Sequence, residues 1–270
     1  MALITSLHNP RVKLLRSLRL RKYRDQESRF LVEGIRAVEE ALASAVPVDT
    51  IVYAPDLLVS DRAQALVGQL DPDRRLALSA EAFRSFSDRD DPQGIAAVVR
   101  IDSRPLSALP LPAEMLVVVA YQLSDPGNLG SIVRTADAAG ATGVIVVTPS
   151  VDLYDPQTVR ATMGSLFALP VVYPVEPAGL DRWLEQVRAA GLPLCVVASS
   201  AHGRQDFYEG DYRQPIVLLL GNERYGLPPE VRDRADLLVR LPMAGRATSL
   251  NVSAAAAALI YEVVRQRRRS

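Results

Sequence analysis

Cysteine occurs once in these 270 residues and histidine twice. Cys195 therefore cannot form a disulfide within the chain, and its apolar surroundings read as a buried structural thiol in a reducing cytoplasm. With only His8 and His202, and no Cys/His pair at ligand spacing, a His-rich metal centre is nearly excluded and Ser–His–Asp hydrolysis disfavoured. A Gly-x-Ser-x-Gly elbow and a Gly-x-x-x-x-Gly-Lys phosphate loop are absent. So is a Gly-x-Gly-x-x-Gly turn after an early strand, which sets aside a nicotinamide oxidoreductase. No apolar run has the length of a membrane span. The stretch Met1-Ala2-Leu3-Ile4-Thr5-Ser6 lacks the apolar core of a secretory signal. Net charge is missing too: 31 Lys and Arg balance 31 Asp and Glu, which argues against a wholly basic nucleic-acid binder. The chemistry has to proceed without imidazole, thiolate or metal as its obvious engine.

Hydrophobic residues at 49% and charged residues at 23% are those of a globular protein of one large or two ordinary domains. Cations are unevenly spread. Arg11, Lys13, Arg16, Arg19, Arg21, Lys22, Arg24 and Arg29 face only Asp25 and Glu27 in the same stretch, and Arg265, Arg267, Arg268 and Arg269 form a second cluster. Both are solvated helix faces or phosphate contacts, the latter releasing counterions on binding.

Periodicity divides the chain into an N-terminal α/β domain over 1–101, a proline-rich linker over 102–113 and a second α/β domain over 114–270. In the first, Val12, Leu14, Leu15 and Leu18 mark a helix, and Phe30–Val32, Thr50–Tyr53, Arg75–Leu78 and Gly94–Val99 mark strands. Ser79 reads as a helix cap. Pro105, Pro110 and Pro112 stiffen the linker. The second domain has continuous apolar strands at Met115–Ala120, Gly143–Val147, Leu194–Ala198, Ile216–Leu220 and Leu237–Leu241, as expected of a sheet covered on both faces. Helices are predicted over 129–139, near 156–166, over 178–190 and from Ser249 to about Arg267.

Three polar stretches follow strands of this second domain. Asp125-Pro126-Gly127-Asn128-Leu129-Gly130 leads to Arg134; Asn128 reads as a helix cap or a ligand contact, and Arg134 as an Asp137 partner or an oxygen-binding guanidinium. Gly221-Asn222-Glu223-Arg224-Tyr225-Gly226-Leu227 carries two glycines suited to a turn or to a ligand close against bare backbone, with Glu223 either solvated or functional. Leu241-Pro242-Met243-Ala244-Gly245 leads to Ser249-Leu250-Asn251-Val252-Ser253, with Ser249 as a natural cap. Ligands of open α/β sheets gather at such strand exits.

In this order and spacing the three stretches resemble the motif set of the SpoU (TrmH) family of RNA ribose 2′-O-methyltransferases, in the SPOUT superfamily. Phe30-Leu31-Val32-Glu33-Gly34 with Gln93-Gly94-Ile95 resembles that family's N-terminal substrate-binding domain. The resemblance implies a C-terminal α/β knot, a deep trefoil knot with a mainly parallel sheet flanked by helices, behind a small α/β domain. It implies S-adenosylmethionine held at Gly221, Asn222, Leu241, Met243 and Leu250, and a catalytic set of Asn128, Arg134, Glu223, Ser249 and Asn251. A guanidinium has no acceptor for a proton, so orientation of the ribose hydroxyl is the alternative to base catalysis by Arg134. A homodimer through the C-terminal domain is implied, no metal, and RNA captured by Arg11, Lys13, Arg16, Arg19 and Lys22. Ribosomal RNA is preferred by analogy; a transfer-RNA enzyme and a non-catalytic RNA-binding or assembly protein are the alternatives.

Overall fold

Strands and helices alternate along the chain in the computed structural model, which describes residues 3–268; Met1, Ala2, Arg269 and Ser270 lie outside the described residues. The first elements are α1 (Pro10–Ser17), α2 (Arg21–Glu27), β1 (Arg29–Glu33), α3 (Ile35–Ala43), β2 (Val48–Tyr53), α4 (Asp61–Gln69), β3 (Arg75–Ala77), α5 (Ala80–Arg84) and β4 (Ile95–Arg100). Then come β5 (Leu116–Tyr121), α6 (Pro126–Ala138), β6 (Gly143–Val147), α7 (Pro156–Thr162), α8 (Ser165–Ala168), β7 (Val171–Val175) and α9 (Pro177–Ala189). The chain closes with β8 (Cys195–Ser199), β9 (Gln205–Asp206), β10 (Ile216–Leu220), α10 (Pro229–Arg232), β11 (Leu237–Arg240) and α11 (Val252–Arg267).

Two compact units result. One runs to Asp102 and takes in Tyr154–Ala168; the other comprises Ser103–Leu153 and the chain from Leu169 onward. The helical segment near 156–166, read from sequence as part of the second domain, therefore packs in the first. Tyr154 sets its ring 4.7 Å from that of Phe30 and donates its hydroxyl to the Asp102 carbonyl at 3.0 Å. Within the proline-rich stretch, read from sequence as a stiff linker, Leu109 is buried in the second unit's core.

The first unit has a four-stranded sheet in the order β1-β4-β2-β3, with β4 antiparallel to both neighbours. Asn9 caps α1 by accepting the Arg11 amide at 2.9 Å, with Pro10 in the first turn. Val12, Leu15 and Leu18 point inward. Arg24 departs from the phosphate-contact reading of its cluster. It is buried, and its guanidinium donates to the Leu18 and Arg19 carbonyls at 2.9 and 2.7 Å, closing the end of α1. Arg29 is likewise engaged, with Asp49 at 2.6 Å. The Phe30–Gly34 and Gln93–Ile95 pieces meet: the Gln93 side chain accepts the Ile35 amide at 3.0 Å beside Gly34, whose φ of 104° suits glycine.

The second unit has a seven-stranded sheet in the order β7-β6-β5-β10-β8-β11-β9, parallel throughout. Strands β5, β6 and β10 are buried along their whole length, which explains their unbroken apolar runs. Helices α6 and α11 pack on each other. Cys195 opens β8 half-buried rather than buried, and burial pushes its thiol pKa up. Of the C-terminal cations, Arg267 is a clamp, not a phosphate ligand. It donates to the carbonyls of Glu114, Met115, Tyr212 and Gln214 at 2.6, 3.0, 3.1 and 2.8 Å. Arg265 pairs with Glu262 at 2.6 Å. No helix among the described residues is long and apolar enough to cross a membrane.

Candidate active site

Strands β5, β10, β8 and β11 lie side by side and run parallel, so their C-terminal exits line one edge of the sheet. The exits enclose a cleft of about 1490 Å³. That exceeds the usual range of about 300–1,000 Å³ for a small-molecule site, leaving room for a cofactor and part of a substrate.

The β10 exit is a tight loop closed on itself. The Asn222 amide donates to the Gly226 carbonyl at 3.1 Å, and the Gly226 amide to the Asn222 carbonyl at 2.9 Å. The Asn222 side chain accepts the Arg224 and Tyr225 amides at 2.9 and 3.2 Å and donates to the Gln122 carbonyl at 2.7 Å. A Cβ on Gly221 would lie 2.4 Å from the Gly226 and Leu227 backbone. The chain itself, rather than a ligand, demands that glycine.

Glu223 reaches from this loop to the β5 exit. Its carboxylate accepts the Ser124 amide and hydroxyl at 2.9 and 2.7 Å, the Asp125 amide at 3.1 Å and the Asn128 side-chain amide at 3.0 Å. Burial pushes the carboxyl pKa up, but the bonds from Asn128 and Ser124 outweigh it and hold it at about 2. Near neutral pH Glu223 is a fixed anion tying two loops together, and a poor proton acceptor.

Asn128 is not the helix cap that its position suggested. Asp125 caps α6 by accepting the Asn128 amide at 2.7 Å, and Asn128 sits buried in the first turn. Its amide nitrogen serves Glu223 and its oxygen accepts from Asn251 Nδ2 at 2.9 Å. Asn251, rather than Ser249, caps α11: its oxygen accepts the Ser253 amide at 2.8 Å and the Ser253 hydroxyl at 2.6 Å. One relay, Glu223–Asn128–Asn251, thus joins all three motif stretches.

Leu241, Met243, Ser249 and Leu250 line the cleft with Gly221 and Asn222. Leu250 is 46% exposed, and residues 244–250 are exposed without regular structure. Apolar side chains open to a polar-rimmed cleft fit a flat heteroaromatic ring beside a charged group, so the donor set suits S-adenosylmethionine.

Arg134 does not join this group. It is exposed on α6, lines no part of the cleft, and its side chain forms no hydrogen bond or ion pair with a described residue, Asp137 included. Six residues beyond Asn128, it stands on a different helical face. Sequence reasoning also missed the β8 exit, Ser199 to His202, together with Arg232, Arg240 and Thr248, all in the cleft wall. The rule of strand exits would have marked 199–202 once β8 was read. Among the described residues no group of His, Cys, Asp and Glu is placed to hold a metal. In the first unit, Arg11, Lys13, Arg16 and Lys22 are exposed, whereas Arg19 is paired with Asp88.

Residues 115–261 match the SpoU rRNA Methylase family, and residues 9–97 match the MRM3-like substrate binding domain. A 23S rRNA (uridine(2479)-2′-O)-methyltransferase of Streptomyces viridochromogenes is 38% identical over 248 residues, covering 92% of this chain and 86% of the relative. A 23S rRNA (guanosine(2553)-2′-O)-methyltransferase of Bacillus subtilis is 32% identical, over 96% of this chain and 98% of the relative. Among solved structures, the SpoU methyltransferase AviRb of Streptomyces viridochromogenes in complex with AdoMet superposes with a TM-score of 0.90. It is 37% identical and the match covers 97% of this chain and 99% of that one.

Proposed function

This chain belongs to the SpoU rRNA Methylase family, and we propose that it transfers a methyl group from S-adenosylmethionine to a ribose 2′-hydroxyl of ribosomal RNA. The observation that carries the reading is the relay from Glu223 through Asn128 to Asn251, which draws three separate loops around one cleft. Two full-length relatives act on 23S ribosomal RNA, which favours that substrate over transfer RNA. The intact relay also speaks against a non-catalytic assembly protein, because nothing in plain packing requires two amides and a carboxylate in series.

When bound, S-adenosylmethionine supplies an electrophilic methyl group on a positively charged sulfur. Leu241, Met243 and Leu250 present the apolar surface for its adenosyl part, with the Gly221–Asn222 backbone alongside. Asn251 and Ser249 line the same cleft, and their polar atoms orient the ribose. The ribose oxygen forms a bond to the methyl carbon as the carbon–sulfur bond breaks, and the hydroxyl proton passes to water. Alignment supplies much of the rate, since the leaving sulfide needs no protonation. Glu223 takes no proton in this scheme; it holds the loops.

The C-terminal segment is threaded as a knot in this proposal, which is supported by α11 packing on α6 beside the cleft. The enzyme is a cytoplasmic homodimer. Arg134, turned away from its own cleft, then orients RNA at the cleft of the second copy. Arg11, Lys13, Arg16 and Lys22 hold phosphates. The proposal is tested by incubating the purified protein with labelled S-adenosylmethionine and unmodified large-subunit ribosomal RNA. Label confined to a 2′-O-methylnucleoside supports it; no incorporation refutes it.

A further inference from the structure

A second cleft, of about 610 Å³, opens in the first unit. Lys13 and Arg16, one turn apart on the outer face of α1, line one wall, and neither forms an ion pair with a described residue. Asp88, held by its pair with Arg19, faces them, with Gln157 from the start of α7. The volume lies within the range of small-molecule sites.

Leu20 also lines this cleft and is 59% exposed. It occupies the N-cap position of α2 and makes no capping bond. Serine, threonine, aspartate or asparagine at that position satisfies an orphan amide, whereas leucine leaves the amide bare and wets its own apolar surface. Folding alone gives no reason for the choice, and a broken local rule of this kind is expected at working sites.

The lining has three chemistries side by side: the unpaired Lys13 and Arg16, the apolar Leu20, and the Gln157 amide beside Asp88; a second carboxylate in the wall, Asp155, is engaged in capping α7. We propose that this cleft captures one unpaired nucleotide of the RNA, an inference that rests on the RNA-methyltransferase reading above. Lys13 and Arg16 take its phosphates. Leu20 packs against the face of its base. Gln157 and Asp88 meet the base edge, the amide with a donor and an acceptor, the carboxylate with an acceptor only. A bare polyphosphate would find a carboxylate and a leucine where it needs donors, and a stacked duplex offers no free base face. The two ribosomal-RNA relatives act on different bases, so a surface that reads a base outside the methyl-transfer cleft gives the fold a means to choose its target.

The test uses the whole protein and unmodified large-subunit ribosomal RNA transcribed in vitro. Leu20→Ser keeps α2, because serine is favoured at its cap position. Gln157→Ala leaves the α7 cap on Asp155 intact. Arg62→Ala, which removes a cation paired with Glu39 and outside the cleft, is the control. Each cleft variant is expected to weaken RNA affinity roughly tenfold, the size of one lost base contact, with the control unchanged. Ultraviolet cross-linking of wild type places nucleotide adducts on peptides containing Leu20 or Gln157. Affinities within twofold of wild type for both variants, or adducts found only elsewhere in the first unit, overturn the proposal. Affinity reads the cleft and methyl incorporation reads the reaction, so the two fail separately.

Discussion

Asn251 donates its side-chain amide to Asn128 at 2.9 Å, across 123 positions of sequence, while its oxygen caps the helix that follows it. Asn128 passes the bond on to Glu223, so each asparagine uses its donor and its acceptor at once. Aspartate, the nearest isostere, would only accept. Asn128→Asp removes the donor and sets a second negative charge against Glu223. The expected result is a loss of about 1–3 kcal/mol in stability and at least a tenfold weaker cofactor affinity by titration calorimetry.

Glu223 gives the pH dependence. Its folded pKa of about 2 lies below the ordinary 4.5, so its contribution is complete above pH 4.5 and is lost as pH falls through 2. Solvent screening leaves this on the order of 1 kcal/mol. Denaturant midpoints measured from pH 6 down to pH 2 should fall further for wild type than for Glu223→Gln. The methylation rate of Glu223→Gln near neutral pH should keep the wild-type pH profile at reduced height. A profile that loses its acidic limb would identify Glu223 as the base.

Gly221→Ala forces a Cβ to within 2.4 Å of the Gly226 and Leu227 backbone, which cannot yield without opening the loop. Cofactor binding should be abolished and stability lowered by about 1–3 kcal/mol. Gly226→Ala has open space around its Cβ but a φ of 68°, and should cost only about 1–2 kcal/mol. Thermal melts with and without S-adenosylmethionine separate the two.

Lys13, Arg16 and Lys22 form no ion pair with a described residue, whereas Arg19 is already matched by Asp88. Replacing the first three with alanine should weaken RNA binding and lower the slope of log affinity against log salt by about three. Arg19→Ala should change the slope less than any one of them.

Much of this was legible in the sequence, and the limits have physical causes. Buried parallel strands announce themselves as unbroken apolar runs, and glycine-bearing exits mark where ligands gather. Charge is harder to read, because a letter does not say what surrounds it: Arg24 and Arg267 read as solvated or phosphate-contacting and turned out to clamp carbonyls. Asn128 and Ser249 sat where caps are common, yet neighbours three and two residues away took those roles, since cap choice depends on where the turn begins. The α7–α8 segment reads as helical from sequence, which does not say against which unit it packs. Arg134 stood in the right motif, but spacing along a helix placed it on another face.

That displacement makes a further prediction. If Arg134 serves the second copy, a protein inactive through Arg134→Ala and one inactive through Asn251→Ala should complement each other when refolded together. Half the dimers are mixed and each keeps one whole site, so about one quarter of wild-type activity returns. No recovery places Arg134 in service of its own chain.

The central claim, that three loops joined by one relay deliver a methyl group to an RNA sugar, meets its most direct test in nucleoside analysis. Large-subunit ribosomal RNA carrying no modifications is incubated with the protein and methyl-labelled S-adenosylmethionine, digested, and separated. The account predicts label in a 2′-O-methylnucleoside with wild type and its near-complete loss with Asn128→Asp. Label on a base, or full incorporation by the Asn128→Asp protein, contradicts it.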